Sequence, residues 1–288
     1  RTKSRGLGDV YKRQVSLPVD FIEVYNGSDD ALKDIITVFV DRDTKVLSYQ
    51  PSYTQVNTFI TTNTEHYEKI NIQDPLGEHY YDFDHCKSAD VVYLVNPNNP
   101  TGKLLPVKDI EKLVKQYPNT LFIVDEAYYE FAKQSCTHLV VSHKNLIVTR
   151  TFSKAFGLAS VRLGYCMAHP DTLSDVRKIR NGKAVNALGQ LCGIAALNDL
   201  DYLQSRIDEM NDAKKFFIDN LPNYYHAVSS DANFVLVKTP DSKKVLEKMR
   251  ENKILIRDRS AFENLENCVR ITIGSKKQII RVLDVMTN

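Results

Sequence analysis

Residues 89–102 read ADVVYLVNPNNPTG, an unbroken apolar run from Val91 to Val95 that ends among asparagines and prolines. Pro97 and Pro100 have no amide hydrogen and a fixed φ, so neither a helix nor a paired strand continues through them. The run is therefore a strand closed by a loop. Two later segments repeat the plan: TLFIVDEAYYEF (120–131) is an apolar strand with acids at its end, and NLIVTRTFSKAFG (145–157) ends in a hydroxyl, an amine and a glycine. Between the first two lies VKDIEKLVKQY (107–117), spaced as an amphipathic helix. Strands that are apolar throughout, instead of alternating, need cover on both faces, and short connections through helices make them parallel. The expected fold class is α/β, a mostly parallel central sheet with helices on both faces.

Working outward, FIEVYNGSDDALKDIITVFV (21–40) is a strand ending at Asn26-Gly27 and then an amphipathic helix, with Ser28 as its expected N-cap and acids in its first turn. A strand, a glycine turn and a helix N-terminus form a candidate anion site. KVLSYQPSY (45–53) is a strand closing on Pro51, and EHYEKINI (65–72) is another. From about 170 to 215 the chain reads as one long helix. Then follow a strand NFVLVKT (233–239), a helix SKKVLEKMREN (242–252), strands ILIRDRS (254–260) and CVRITIG (268–274), and a short closing helix. This second layout is α+β. A large domain is therefore expected over 15–185 and a small C-terminal domain over 186–288, the change falling inside the long helix.

Composition sets the outer limits. With 43% hydrophobic and 26% charged residues, the 288-residue chain has ordinary globular proportions. The segment RTKSRGLGDVYKRQ (1–14) carries a net charge of +4, which leaves the other 274 residues at −2. It has neither an apolar period nor a signal-peptide core, and is read as a non-native or disordered leader outside the fold. The body thus has no basic excess that would suit nucleic acid or an anionic membrane. Its apolar runs fall far short of the roughly 20 residues that span a bilayer. Five cysteines, at 86, 136, 166, 192 and 268, form no C-x-x-C pair. Neither a disulfide framework nor a zinc or other metal site is indicated, and reduced thiols suit a cytoplasmic protein.

Ligands of an α/β sheet bind at the carboxyl ends of its strands. The chemically distinctive residues collect there: Asn99 after one strand, Asp125, Glu126 and Tyr128 at a second, Ser153 and Lys154 after a third, and Gly27, Ser28 and Asp29 after the first. Pyridoxal phosphate uses that inventory. An amine forms the Schiff base, a carboxylate keeps the pyridine nitrogen protonated, hydroxyl and amide donors hold the ring oxygen, and an arginine with a helix N-terminus takes the phosphate.

NPNNPTG (96–102), VDEAY (124–128) and TFSKAFGLASVRLGY (151–165), in this order, resemble the fold-type I pyridoxal phosphate-dependent aminotransferases of class I/II, and within them the histidinol-phosphate aminotransferase branch. NGSDDAL (26–32), QPSY (50–53), ILIRDRS and CVRITIG fit as well, so the resemblance runs from about residue 20 to 285. It implies that Lys154 is the Schiff-base lysine and the acid–base group at the substrate Cα, and that Asp125 pairs with the pyridinium. Tyr128 and Asn99 would bond the ring oxygen, and Tyr53 would stack on the ring. Ser153, Arg162, Ser28 and Asp29 would hold the phosphate. Arg270 would take the substrate carboxylate, Arg257 its distal, phosphate-bearing end, and Arg259 is read as structural.

The implied reaction moves an amino group from L-histidinol phosphate to 2-oxoglutarate, a step of histidine biosynthesis. A threonine-phosphate decarboxylase or an aromatic aminotransferase would share nearly all these residues. A non-catalytic module on a doubly wound sheet is the reading of a different class; no G-x-G-x-x-G follows a strand, and none of the cofactor residues is lost. Family members are homodimers that borrow a tyrosine from the partner's N-terminal region, and they carry a longer segment ahead of NGSDD. The chain is therefore expected to be a truncated copy that binds cofactor weakly or is poorly stable, its full-length form a homodimer.

Overall fold

Seven strands form the larger sheet of the computed structural model, which describes residues 15–287; the expected leader, 1–14, lies outside the described residues. They are β1 (Ile22–Tyr25), β2 (Val46–Gln50), β3 (Tyr67–Asn71), β4 (Val91–Val95), β5 (Leu121–Asp125), β6 (Leu146–Thr151) and β7 (Gly164–Ala168), in the order β1-β7-β6-β5-β4-β2-β3. The run from β3 to β6 is parallel, and β7 is antiparallel to both of its neighbours. The mostly parallel sheet is as expected. Between β6 and β7 the chain forms only a short turn of helix, Ala159–Val161, and no crossover α-helix of the kind that usually returns a strand parallel.

The central strands are buried on both faces. Val92, Leu94, Phe122, Val124 and Val148 pack in one layer, and their alternates Val91, Tyr93, Val95, Ile123 and Ile147 pack in another. Helices α1 (Ser28–Phe39), through Leu32, Ile35 and Ile36, and α2 (Gln55–Thr61), through Val56 and Ile60, cover the second layer. Helix α3 (Val107–Gln116) covers the first with Ile110, Leu113 and Val114. Two-sided cover is what uniformly apolar strands require.

Three expectations shift. Gly27, at φ 95°, is the N-cap of α1, and Ser28 is its first helical residue; only glycine enters that backbone region freely. After a single turn of helix, α4 (Tyr129–Ala132), the expected long helix over 170–215 is three: α5 (Pro170–Ile179), α6 (Ala187–Leu197) and α7 (Leu200–Asp219). Arg180 turns extended after α5, Asn186 caps α6 by accepting from Gly189 N at 2.6 Å, and Asp199 caps α7 by accepting from Tyr202 N at 3.3 Å. Short polar side chains that bond the backbone N–H groups start new helices at these points, although the apolar period runs on through them. Within ILIRDRS only Arg257–Asp258 is strand.

The second sheet comprises β8 (His226–Ala227), β9 (Phe234–Lys238), β10 (Arg257–Asp258) and β11 (Cys268–Thr272), antiparallel in the order β10-β11-β9-β8. Helices α7, α8 (Ser242–Glu251) and α9 (Lys276–Thr287) pack on one of its faces around Val235, Val237, Val269 and Ile271. The two sheets meet where Asp231 N donates to Gly102 O at 2.8 Å and Lys103 Nζ to Ser229 Oγ at 2.9 Å. Among the described residues no helix is long and apolar enough to cross a membrane.

Candidate active site

The carboxyl ends of β1, β4, β5 and β6 open onto one cleft of about 490 Å³. Ser28, Asp29, Tyr53, Asn99, Asp125, Tyr128, Ser153, Lys154 and Arg162 all line it, so the nine residues expected around a cofactor converge there. Parallel strands bring this about: residues far apart in the chain leave the sheet at the same edge.

Asp125, the last residue of β5, is 3% exposed. It accepts from Tyr93 Oη at 3.1 Å and Thr149 Oγ1 at 3.2 Å, and no ion pair reaches it among the described residues. Burial pushes its carboxyl up to about 6, the nearby Asp29 charge adds to that, and the Tyr93, Thr149 and Ala127 donors oppose it. A buried acid on a cleft wall without a cation suits a ligand that carries one. The adjacent Glu126 faces away, as strand alternation requires, and forms a buried ion pair at 3.0 Å with Arg150.

Lys154 opens into the cleft, its Nζ 5.6 Å from the centroid of the Tyr128 ring. The surrounding protein still shields the ammonium, and that desolvation, with the Arg270 charge, lowers its pKa against the pull of Asp125 and Asp29. More of the amine is therefore neutral and nucleophilic than in a free lysine. Tyr128 is buried edge-on against Phe234, at 5.1 Å between centroids, and burial pushes its phenol up to about 12. It stays protonated and able to donate.

At the other end of the cleft lies the N-terminus of α1. First-turn N–H groups have no intrahelical acceptor, so those of Ser28 and Asp29 are available to an anion, and the helix dipole favours negative charge there. The Asp29 side chain is engaged elsewhere: it accepts from Tyr53 Oη at 2.9 Å and stands 3.6 Å from Arg162 Nη2. Two glycines make this crowding possible. A Cβ on Gly27 would lie 2.7 Å from Arg162 Nη2, and one on Gly164 would lie 2.4 Å from the Ser28 nitrogen. Ser153 completes the cup.

A second cavity, of about 620 Å³, shares Tyr53, Asn99, Tyr128 and Lys154 with the first and is lined also by Arg257, Arg259 and Arg270. Arg270 Nη1 donates to Asn99 Oδ1 at 2.6 Å, and its Cζ lies 4.9 Å from the Phe234 ring centroid. Arg259, read from the sequence as structural, stands on the same wall, and the buried Nε atoms of Arg259 and Arg270 have no hydrogen-bond partner among the described residues. Tyr93 and Thr149, which hold Asp125, were not singled out from sequence. Both sit inside apolar strand runs where nothing local marks them; the pairing of β4, β5 and β6 brings them together.

An amine and a buried acid on one α/β sheet edge, with an anion cup at one end and arginines at the other, fit a pyridoxal phosphate enzyme. The chain belongs to the family described as aminotransferase class I and II, whose model matches residues 11–286. It is 37% identical over 286 residues to a dihydroxyacetone phosphate transaminase of Campylobacter jejuni, covering 95% of this chain and 76% of that protein. It is 34% identical over 263 residues to a histidinol-phosphate aminotransferase of Thermoanaerobacter sp., covering 88% and 73%. The fold matches that of histidinol-phosphate aminotransferase from Sinorhizobium meliloti in complex with pyridoxal-5'-phosphate, with a TM-score of 0.89 at 24% identity over 98% of this chain and 80% of that one. The protein is a pyridoxal phosphate-dependent aminotransferase.

Proposed function

We propose that this aminotransferase moves an amino group between a phosphorylated amino compound, L-histidinol phosphate in the first place, and 2-oxoglutarate. The observation that carries the reading is the pairing of a lysine-and-aspartate cleft with a neighbouring cavity walled by three arginines, which suits a substrate with an anionic far end. Pyridoxal phosphate, when bound, would supply an aldehyde carbon for the amino group and a ring that draws electrons from the substrate Cα. Asp125, whose carboxylate Tyr93 and Thr149 hold in place, would keep a proton on the ring nitrogen. Asn99 and Tyr128 would donate to the ring oxygen, and Tyr53 would lie against the ring. Ser28, Asp29, Ser153 and Arg162 would anchor the phosphate. Lys154 would hold the aldehyde carbon and move the proton at the substrate Cα. Arg270 would bind a substrate carboxylate and Arg257 the distal phosphate.

The 37% identity to a dihydroxyacetone phosphate transaminase favours a second reading of the same site, with that ketone phosphate as acceptor. Comparing kcat/KM for L-histidinol phosphate, dihydroxyacetone phosphate and phenylpyruvate, with glutamate or 2-oxoglutarate as the partner, separates the two. A preference for phenylpyruvate overturns both. Lys154→Ala is expected to lose the visible absorbance of lysine-bound cofactor and nearly all turnover; a variant that keeps both sinks the lysine assignment.

The reading includes a cytoplasmic homodimer. Helix α6 is apolar along its length yet leaves Leu188 59% and Leu191 68% exposed, a face suited to a second copy. All five cysteines are free, in keeping with a reducing compartment.

A further inference from the structure

The cavity beside the Lys154 cleft has three arginines and, among the described residues, no carboxylate on its walls. Their placement follows from strand register. Arg257 and Arg270 are direct partners across β10 and β11, and Arg259 falls on the same side as Arg257 because side chains alternate along a strand. Arg259 N donates to Cys268 O at 2.9 Å, which carries the pairing one residue past β10. Like charges directly opposite one another in an antiparallel pair repel. The fold therefore maintains a cluster that an anion would relieve.

The three guanidinium groups are not equally occupied. Arg270 is held through Nη1 by Asn99. Among the described residues, the buried Nε of Arg259, like that of Arg270, has no hydrogen-bond partner, and the Arg259 Cζ lies 6.0 Å from the Phe262 ring centroid. A carboxylate brings one charge, which a single arginine fork matches. A phosphate monoester brings nearly two charges and three acceptor oxygens, and needs a second fork.

We infer that Arg259 is a specificity-determining residue: it binds the distal phosphate of the substrate together with Arg257, and so sets the preference for phosphate monoesters over carboxylates. The inference rests on the proposed use of this cavity for the far end of the substrate. It also assigns Arg259 a role that its position in the exposed-looking RDR run does not suggest.

The test uses the cofactor-loaded enzyme, so that the Arg162 cup is already filled, and reads binding by calorimetry with two unreactive probes, glycerol 3-phosphate and glutarate. Arg259→Gln is expected to weaken glycerol 3-phosphate roughly ten- to hundredfold, the loss of one charge-assisted hydrogen bond, and to weaken glutarate about tenfold less than that. Arg259→Lys should recover part of the phosphate affinity, since it restores the charge without the fork. Equal losses for the two probes, no loss for either, or a wild-type enzyme that does not bind glycerol 3-phosphate would each overturn the assignment. An enzyme that binds glycerol 3-phosphate through Arg259 but transaminates neither phosphorylated substrate would uphold it while sinking the proposed function.

Discussion

Asp125 costs the cofactor-free chain stability, and the same feature makes it a partner for a pyridinium. Its carboxyl is raised from 3.8 to about 6, so the folded chain holds that proton more tightly than the unfolded chain does. Stability is therefore greatest below about pH 4 and falls as the pH rises through 6, by roughly 3 kcal/mol in all, which is the cost of burying the ionised carboxylate. Asp125→Asn removes the ionisable group and keeps a hydrogen-bonding shape. Without cofactor, that variant should melt a few degrees above wild type at pH 7.5, with a flatter dependence between pH 4 and 6.5, while its cofactor affinity falls by about a hundredfold or more. Equal melting temperatures at pH 7.5 would show that the burial penalty is not realised. Lys154, Asp125 and Arg162 were all legible in the sequence because each sits inside a short motif at a strand end. Arg259 was not, because its significance depends on which residue lies opposite its neighbour in another strand.

The anion cup is a matter of elements: a strand, a turn and a helix pressed together. β7 starts at Gly164 directly beneath the Ser28 nitrogen, and Gly27 turns the chain at φ 95° beside the Arg162 guanidinium. A methyl group at position 164 would have to push the N-terminus of α1 away, since its nearest neighbours are backbone atoms of Ser28 and Gly27 at 2.4 and 2.6 Å. Gly164→Ala should therefore weaken pyridoxal phosphate binding by at least about tenfold in a spectrophotometric titration, a displacement of hydrogen-bond donors from the phosphate. Gly182→Ala is the control, because its new methyl meets only Arg180 Nη1, at 3.6 Å, and affinity should hold. If both variants bind alike, α1 has room to shift and the close approach is not needed. The sequence indicated a helix N-terminus here but misplaced its cap by one residue, because Ser is a common N-cap and only the backbone angle of Gly27 reveals the true one.

Across the whole molecule, the two sheets together line the second cavity. Asn99 leaves the large sheet and accepts from Arg270 of the small one, which ties the cofactor cleft to the arginine wall. Helix α6 lies beside the same region: the Asn186 side chain that caps it also donates to Val161 O at 2.8 Å, next to Arg162. If the Leu188 and Leu191 face seats a second copy, association and the phosphate cup are coupled through this cap. Leu188→Glu combined with Leu191→Glu should then give a monomer by analytical ultracentrifugation, with cofactor affinity reduced severalfold. A variant that remains dimeric would place the interface elsewhere.

By itself the sequence determined the α/β class, the strand ends that carry chemistry and the cofactor they suit, because these depend on apolar periodicity and on short motifs read along the chain. Only the tertiary structure decided that β7 runs antiparallel, that residues 170 to 215 form three helices, that Tyr93 and Thr149 hold Asp125, and that Arg259 shares a wall with Arg257 and Arg270. Those are relations between segments distant in the chain, set by register and packing, and no local pattern encodes which side chains will meet.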